Sequence, residues 1–323
     1  MSDRKLRARE MNVGILATGG YVNAPGVVAG TISGPVTVAA PPHPEPGPEP
    51  GPVPEPTDRP AGARVDVGIL TVLPVEQRAI VEALQHLRDY RTDRPIPDGP
   101  LVHRAEAGTV DRPVHVAAFQ MVDRGNTSAA VALELVRELS PGVVVLTGIA
   151  GGIGTQVGLG DVVLSDAVVL YDPRKITSEG VHHRGDSYVI SAAVRYRLNE
   201  FMVDTGGRVR DPQGGSVRVL QGAIGGGSAV LADGASEDRE WLLRYNDKLL
   251  AVETESAGLA QAFHQVAGAA SRPVGWLAVR GISDLADGSK DDSRHEEASR
   301  NAAAVVVALL PHLSFDRPDR DRS

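Results

Sequence analysis

The chain has 323 residues, 42% of them hydrophobic but only 4% aromatic, so Val, Leu, Ile and Ala must fill its core. The formal net charge at pH 7 is −8 and no cluster of Lys and Arg stands out, which argues against nucleic-acid polymers and anionic membranes as partners. The chain contains no cysteine, which excludes disulfides, thiolate zinc sites and a cysteine nucleophile.

No segment predicts export or membrane insertion. The longest apolar run, residues 302–310, is far shorter than the ~20 residues that a membrane helix needs. The start of the chain is basic, but the segment behind it is too short and too often interrupted by glycine for a secretory signal. The sequence therefore predicts a soluble, cytoplasmic protein.

The first part of the chain is rich in proline. Residues 41–60 hold ten of the 23 prolines, so we expect residues 41–63 to form an extended, disordered linker. In the segment before it, residues 1–40, small polar and β-branched residues alternate at 23–40 and predict one or two short strands. That segment is too small to fold alone.

After the linker, strand and helix patterns alternate along the chain. Apolar runs predict strands, two of them with glycine-rich exit loops, at 65–73, 101–110, 112–121, 142–152, 161–172, 216–233 and 273–280. Apolar residues at helical spacing predict helices at 75–87, 127–139, 190–203, 254–270 and 299–313. The polar stretch 171–188 predicts a flexible loop.

This alternation predicts an α/β fold of three layers, α/β/α, with a central mixed, mostly parallel sheet covered on both faces. The domain should span residues 64–313 and be followed by a disordered tail, residues 314–323. Ligands of such folds gather where strands end, which directs attention to the loops after residues 73, 147, 225 and 280.

Acidic residues lie close to three of the predicted strand or helix ends. Asp284 follows a strand and is either a turn cap or a proton donor aimed into a pocket. Glu76 begins a helix, as a capping residue or as part of a site. Glu253 and Glu255 share a face if they lie on a strand. A carboxylate there suits the two hydroxyls of a ribose. In the first turn of a helix, the same carboxylate would instead interact with the helix dipole.

Glycine and histidine give weaker signals. The stretch GIAGGIGTQVGLGDVV, residues 148–163, brings main-chain amides close to a ligand or simply forms turns. Its spacing matches neither a P-loop nor a dinucleotide fingerprint. The following histidines show no metal-ligand spacing: His103, His115, His182, His183, His264 and His295. We therefore expect neither a metal nor a cofactor.

Taken together and in this order, the motifs resemble the nucleoside phosphorylase superfamily, and most closely its methylthioadenosine/S-adenosylhomocysteine nucleosidases. The resemblance covers residues 64–313 and is carried by VGILTVLPVEQRA, LTGIAGGI…GLGDVVLSDAVVLYD, VETESAG and VRGISDLAD. It implies the fold predicted above, a small-molecule nucleoside as ligand and assembly into a homo-oligomer.

The resemblance also implies a role for each acidic residue. Asp284 would donate a proton to the departing purine, Glu76 would activate the attacking water, and Glu255 would hold the ribose. Ser283 would orient Asp284. The other residues implied to bind substrate are Glu253, Thr254, Val230, Gly148, Ala150, Gly151 and Arg124.

The sequence departs from the family pattern at three places. Thr254 replaces a Met that contacts ribose, and Val230 replaces the ring that stacks on the purine. The loop VDRGN, residues 122–126, replaces one of the SGIGK type and introduces Asp123 and Arg124. Arg124 is either a ligand for phosphate or another charged 5′ group, or a solvated surface residue.

Three functions are consistent with these features. The first is a nucleosidase for a purine nucleoside or nucleoside thioether, such as methylthioadenosine or S-adenosylhomocysteine. The second is a phosphate-dependent nucleoside phosphorylase, with inorganic phosphate bound by Arg124 and the loop at 148–154. The third is a nucleotide-binding sensor or effector module of a bacterial multidomain system, suggested by the linker and the segment before it.

Overall fold

The computed structural model describes residues 65–211, 213–265, 273–287 and 292–315. The predicted N-terminal segment 1–40, the linker 41–63 and residues 316–323 of the predicted tail lie outside these ranges, as does the end of the helix predicted to reach residue 270. The described part begins just before the first strand and ends just after the last helix.

Strands and helices alternate as the pattern predicts. The described residues form strands β1 (Val67–Thr71), β2 (Arg88–Asp93), β3 (Val102–Gly108), β4 (Pro113–Gln120), β5 (Val143–Gly152), β6 (Val162–Leu170), β7 (Arg174–Thr177), β8 (Gly180–His183), β9 (Asp186–Val189), β10 (Arg208–Arg210), β11 (Ser216–Gly226), β12 (Leu249–Glu253) and β13 (Gly275–Asp284). They form helices α1 (Pro74–Gln85), α2 (Asn126–Arg137), α3 (Ala192–Thr205), α4 (Glu237–Tyr245), α5 (Ser256–Gln265) and α6 (His295–Leu309).

Local chemistry sets several helix ends. Pro74 occupies the first turn of α1, where its missing N–H costs nothing. The Ser191 hydroxyl accepts a hydrogen bond from the Val194 N–H at the start of α3, and Gly206, with φ of 61°, ends that helix in the left-handed conformation.

The large sheet is mixed: four neighbouring strands are parallel, β6 is antiparallel to β13 and parallel to β11, and both edges are antiparallel. Its strands follow the order β10-β11-β6-β13-β5-β1-β4-β3-β2, and β9 pairs with β6. The central strands β13, β5, β1 and β4 are parallel, whereas β3 and β2 continue that edge in antiparallel fashion. Strand β12 pairs with both β11 and β5, so the strands β5, β13, β6, β11 and β12 form a closed ring. The predicted mixed sheet is therefore confirmed.

Helices cover both faces of this sheet. A Cβ on Gly281 would meet the main chain of α6, and one on Gly275 would meet side chains at the start of α3. On the opposite face, Gly68 lies against α2 and Trp276 against α5. Helix α1 packs beside α6, which completes the three layers. None of the helices within the described residues is long and apolar enough to cross a lipid bilayer.

A second apolar cluster lies beside the main core. It contains Tyr171, Leu231, Leu242 and Ala286, and it joins the end of β6 to α4. Leu231 lies in the loop after β11, and Ala286 lies in the loop after β13. The cluster therefore packs these two loops against each other, although β11 and β13 are not paired in the sheet.

Two predictions of local structure are wrong. The stretch 171–188, expected to be a flexible loop, contains the antiparallel pair β7 and β8 and then β9. The expected exit loop at 148–152 is instead part of β5, which continues through Gly152 because β12 and β13 pair with its end. Strands β2, β10 and β12 and helix α4 have no counterpart among the predicted elements.

The boundaries of two other elements shift in a way that matters for the acidic residues. Strand β13 extends to Asp284, which pairs with Gly151 after a bulge. Helix α5 begins at Ser256 and not at residue 254, so Glu253 is the last residue of β12 and Glu255 immediately precedes the helix.

The close approach of α5 to α2 gives a test of the packing. A Cβ on Gly258 would fall on the carbonyl group of Asn126, whose side chain also accepts a hydrogen bond of 2.7 Å from the Gly258 N–H. Gly258→Ala should therefore destabilise the fold by about 1–3 kcal/mol, although alanine is worth about 1 kcal/mol more than glycine in an open helix. Urea unfolding measures this difference.

The matched control is Gly234→Ala. A Cβ there would lie 3.6 Å from Asp287 Cβ, an ordinary contact. That variant should be as stable as the wild type or slightly more stable. Equal stability of the two variants would contradict the packing of α5 on α2.

Candidate active site

A cavity of about 400 Å³ lies where several strands end. Leu73 follows β1, Glu253 ends β12 and Asp284 ends β13, and all three line it. The complete lining is Val72, Leu73, Glu76, Arg124, Ile149, Gly151, Ala229, Val230, Leu231, Val252, Glu253, Thr254, Glu255, Ser283, Asp284 and His295. The size is that of a small-molecule site.

Glu76 is held by main-chain N–H groups at the start of α1. Its Oε2 accepts hydrogen bonds from Val72 (2.9 Å) and Leu73 (2.7 Å), and its Oε1 accepts one from Ile149 (2.9 Å). The side chain is buried. Burial raises the pKa of Glu76 above its ordinary value, although the Arg280 charge and the three N–H donors act in the opposite direction.

Arg280 is a fully buried guanidinium that joins two of the acidic residues. It forms an ion pair with Glu253 and lies 3.4 Å from Glu255. Glu253 also accepts hydrogen bonds from the N–H groups of Glu255 (3.1 Å) and Ser256 (3.0 Å), and from the Ser256 hydroxyl. These contacts fix the turn between β12 and α5 and so fix the direction of Glu255.

The charges of this cluster are unequal, because one guanidinium faces three carboxylates. Burial raises the pKa of Glu253; the Arg280 charge opposes this effect, and the neighbouring Glu255 carboxylate adds to it. Burial alone would lower the pKa of Arg280, but the attraction of Glu253, Glu255 and Glu76 raises it above its ordinary value. Arg280 therefore stays charged.

Glu255 is oriented from three sides. Its Oε1 accepts hydrogen bonds from the Gly125 N–H, at 3.1 Å, and from the Thr254 hydroxyl. Its Oε2 faces Arg280. The Gly125 contact exists because α2 starts directly against α5, where Gly258 permits the close approach. Thr254 thus lines the cavity and also fixes its neighbour.

Asp284 is oriented by its own turn. Its Oδ1 accepts a hydrogen bond of 2.9 Å from the Ala286 N–H, and its Oδ2 lies 3.0 Å from the Ser283 hydroxyl. A Cβ on Gly151 would come within 2.9 Å of Asp284 Oδ1, so only glycine leaves room for this carboxylate. Asp284 is therefore both a turn residue and a buried group facing a cavity.

Two residues of the glycine-rich stretch that were expected to bind substrate do not line the cavity. Gly148 and Ala150 are not among the lining residues. A Cβ on Gly148 would overlap the Glu76 carboxylate and come within 2.6 Å of an Arg280 nitrogen, so Gly148 provides room for these groups. The Ala150 carbonyl lies 3.4 Å from the Ser283 hydroxyl.

The two remaining predicted residues lie at the open side of the cavity. Arg124 is exposed, in the loop before α2. Val230 is 63% exposed in the loop after β11. Among the described residues that line the cavity, only His295, the first residue of α6, has an aromatic ring that could stack on a base.

The sequence patterns did not assign Arg280 to the site, and they considered His295 only as a metal ligand. Arg280 had a detectable signal, since a charged residue inside an apolar strand needs a buried partner. The place of His295 at the cavity had no signal, because its helix was predicted to begin at residue 299. Within the described ranges, no group of three or more His, Cys, Asp or Glu side chains is arranged to hold a metal ion.

The chain matches the phosphorylase superfamily over residues 66–311. An ATP nucleosidase, Cap17, from Escherichia coli strain KTE188 is 28% identical over 264 residues, which is 76% of this chain and 50% of that relative. The chain thus spans about half the length of this relative. A 5′-methylthioadenosine/S-adenosylhomocysteine nucleosidase from Haemophilus ducreyi is 29% identical over 194 residues, 59% of this chain and 78% of the relative.

A solved structure supports the fold. The 5′-methylthioadenosine/S-adenosylhomocysteine nucleosidase of S. pneumoniae, determined with a transition-state inhibitor, has a TM-score of 0.60 and 21% identity, covering 77% of this chain and 100% of that one. The match concerns the fold alone, and it confirms the three-layer α/β architecture predicted from the sequence.

The buried cluster predicts a strong and pH-dependent effect of Arg280→Met. Removing the guanidinium leaves buried carboxylates without compensation, which should cost about 3–5 kcal/mol of unfolding free energy near neutral pH. A buried carboxyl with a raised pKa holds its proton more tightly in the folded state, so the loss should shrink as the pH falls from about 7.5 to about 5. Urea unfolding at several pH values measures this.

Two further variants make this test specific. Arg280→Met combined with Glu253→Gln should recover part of the loss, because one buried charge is removed. Arg218→Met breaks the ion pair with Asp161 at a half-exposed position and should change stability by at most about 1 kcal/mol. A cost for Arg280→Met no larger than that of Arg218→Met would contradict the account of the cluster.

Proposed function

Because the chain belongs to the phosphorylase superfamily, we propose that it is a nucleosidase, which uses water to cleave the N-glycosidic bond of a purine nucleoside or its 5′-modified derivative. The resemblance seen in the motifs is confirmed by this match, and with it the expectation of an N-glycosyl hydrolase or nucleoside phosphorylase. One observation supports hydrolysis most: Glu76, Glu255 and Asp284 are far apart along the chain and line one cavity.

In the proposed reaction, Asp284 is the general acid. As the bond between the sugar C1′ and the purine N9 breaks, its electron pair goes to the purine, which becomes negatively charged. A proton delivered to N7 neutralises that charge and lowers the barrier. The contacts with Ser283 and the Ala286 N–H support this role, because they hold the carboxyl group in one orientation.

Glu255 holds the ribose in this scheme. A carboxylate accepts hydrogen bonds from two hydroxyl groups, and its negative charge stabilises the positive charge that develops on the sugar. The Thr254 hydroxyl and the Gly125 N–H, which both donate to Oε1, keep the side chain in place without neutralising it.

Glu76 activates the water. The water oxygen forms the new bond to C1′, and the carboxylate takes the proton that the water loses. A carboxylate with a raised pKa is a stronger base than an ordinary one, which suits this step. Its three N–H donors leave it fixed at the edge of the cavity.

The charge of the lining favours water over phosphate as the nucleophile. Four acidic side chains, those of Glu76, Glu253, Glu255 and Asp284, line the cavity, and of these Asp284 must carry a proton in the proposed reaction. Arg280 is paired with two of them and does not line it, so within the described chain Arg124 at the exposed side is the one arginine that does. Inorganic phosphate would be repelled from the interior.

The relatives narrow the proposed substrate. The names of the E. coli and H. ducreyi proteins refer to adenosine derivatives, so we take adenine as the base. They differ at the 5′ position, a triphosphate in one and a thioether in the other. Arg124, exposed at the edge of the cavity, favours an anionic 5′ group; the thioether remains the second candidate because the cavity is also lined by Val72, Leu73 and Ile149.

A substrate panel tests the proposal. In phosphate-free buffer, the wild type should release adenine from at least one of ATP, adenosine, methylthioadenosine and S-adenosylhomocysteine, as measured by mass spectrometry. Added phosphate should not be required. Activity that depends strictly on phosphate would identify a phosphorylase, and binding of a nucleotide without turnover would favour a sensor module.

Three substitutions test the assigned roles. Glu76→Gln, Glu255→Gln and Asp284→Asn should each lower kcat/KM by about 10²–10⁴-fold, the range of general acid–base and electrostatic contributions. Glu134→Gln, at an exposed position of α2, is the control and should match the wild type. Wild-type activity in Glu76→Gln would exclude Glu76 as the base.

The raised pKa of Glu76 predicts the acid limb of the pH profile. The base must be ionised, so kcat/KM should fall as the pH drops through the pKa of Glu76, and this fall should begin at a higher pH than for an ordinary glutamate. In Glu76→Gln, the residual activity should lose that dependence. The same acid limb in wild type and variant would assign the limb to another group.

A further inference from the structure

The wall of the cavity formed by residues 228–231 has no regular secondary structure. Ala229, Val230 and Leu231 line the cavity, and their side chains are apolar. Any hydrogen bonds that this wall gives to a ligand must therefore come from its main chain, and their geometry depends on where the main chain is held. Val230 is also too small to stack on a purine as a ring would.

The side chains of two consecutive residues, Tyr171 and Asp172, hold this segment by hydrogen bonds. The Tyr171 hydroxyl donates a hydrogen bond of 2.9 Å to the Ala229 carbonyl. The Asp172 carboxylate accepts hydrogen bonds from the Ser228 N–H and the Ser228 hydroxyl, both at 2.7 Å. Both residues directly follow β6, so the wall is tied to the end of a central-ring strand.

The Tyr171 ring is packed tightly under the segment. Tyr171 is fully buried, and a Cβ on Gly227 would overlap its ring. It shares the small apolar cluster with Leu231. Burial, together with the negative charges of Asp172 and Glu253, raises the pKa of Tyr171, so its hydroxyl keeps its proton and remains a donor throughout the working pH range.

We propose that Tyr171 and Asp172 are positioning residues, which hold residues 228–231 as the wall that binds the purine base. The inference rests on the proposed function for the identity of the ligand. Without an aromatic ring at Val230, base affinity depends on how well this wall is held in place. Because the wall touches the base in the ground state and in the transition state alike, its loss should raise KM and leave kcat nearly unchanged.

The test uses the full chain with Tyr171→Phe, which removes one hydroxyl, and Asp172→Ala, which removes both Ser228 contacts. Each should raise KM for the adenosine derivative that the wild type cleaves, and Kd for free adenine by calorimetry, by about 3–10-fold, as expected for hydrogen bonds of this kind. The change in kcat should stay within about 2-fold. Tyr196→Phe, at an exposed position of α3, should match the wild type in all three quantities.

Combined variants separate positioning from general loosening of the fold. Ser228→Ala added to Asp172→Ala should have no further effect on adenine affinity, because the Ser228 hydroxyl acts through Asp172. Tyr171→Phe added to Asp172→Ala should weaken adenine binding further. Urea unfolding checks that the fold is retained; if Tyr171→Phe does not fold, Asp172→Ala and Ser228→Ala, which alter exposed contacts, carry the test.

The outcomes distinguish this inference from the proposed function. Adenine affinity within 2-fold of the wild type in both Tyr171→Phe and Asp172→Ala, with turnover retained, overturns the positioning role and leaves the nucleosidase intact. A wild type that binds adenine but cleaves no nucleoside overturns the nucleosidase, and the adenine affinities of the variants still decide the role of the wall. A wild type that binds no adenine at millimolar concentration overturns the assignment of the wall to this base.

Discussion

The site depends on one buried guanidinium that faces more negative charge than it can neutralise. Arg280 is paired with Glu253, lies beside Glu255 and attracts Glu76 electrostatically. A hydrophobic replacement of such a cluster would cost the fold little, so stability does not explain it. Its consequence is that carboxylates remain concentrated at one end of the sheet, where a cationic sugar would form in the proposed reaction.

Glycines make that concentration of carboxylates possible, because they lack a side chain at the positions where other groups approach the main chain closely. Gly148 leaves room for Glu76 beside Arg280, and Gly151 leaves room for Asp284. Gly258 brings the start of α2 onto α5, which puts the Gly125 N–H on Glu255. The glycines at 148 and 151 are therefore explained by the space that they leave for buried acidic side chains. A direct approach of their main chain to a ligand is not needed to explain them.

The long buried strands were predictable from sequence because they are continuous apolar runs, as in β5 and β13. The pairing of β12 with both β11 and β5 was not, since a ring closed by a five-residue strand leaves no local signal. The hairpin of β7 and β8 was predicted as a loop because its two strands are short, polar and mostly exposed, and so lack an apolar pattern. The acidic residues could be located from their places near predicted strand and helix ends, and the resemblance to the family implied a role for each. The contacts of Arg280 and the anchoring of residues 228–231 by Tyr171 arise only from tertiary packing.

Isotope labelling tests the central claim most directly, because it follows the atom that enters the sugar. The wild type is incubated with its adenosine-derived substrate in H₂¹⁸O with phosphate present, and the products are analysed by mass. The account predicts free adenine and a ribose product carrying one ¹⁸O that originates from water. A ribose 1-phosphate product, or intact substrate in the presence of folded protein, would contradict hydrolysis in this carboxylate-lined cavity.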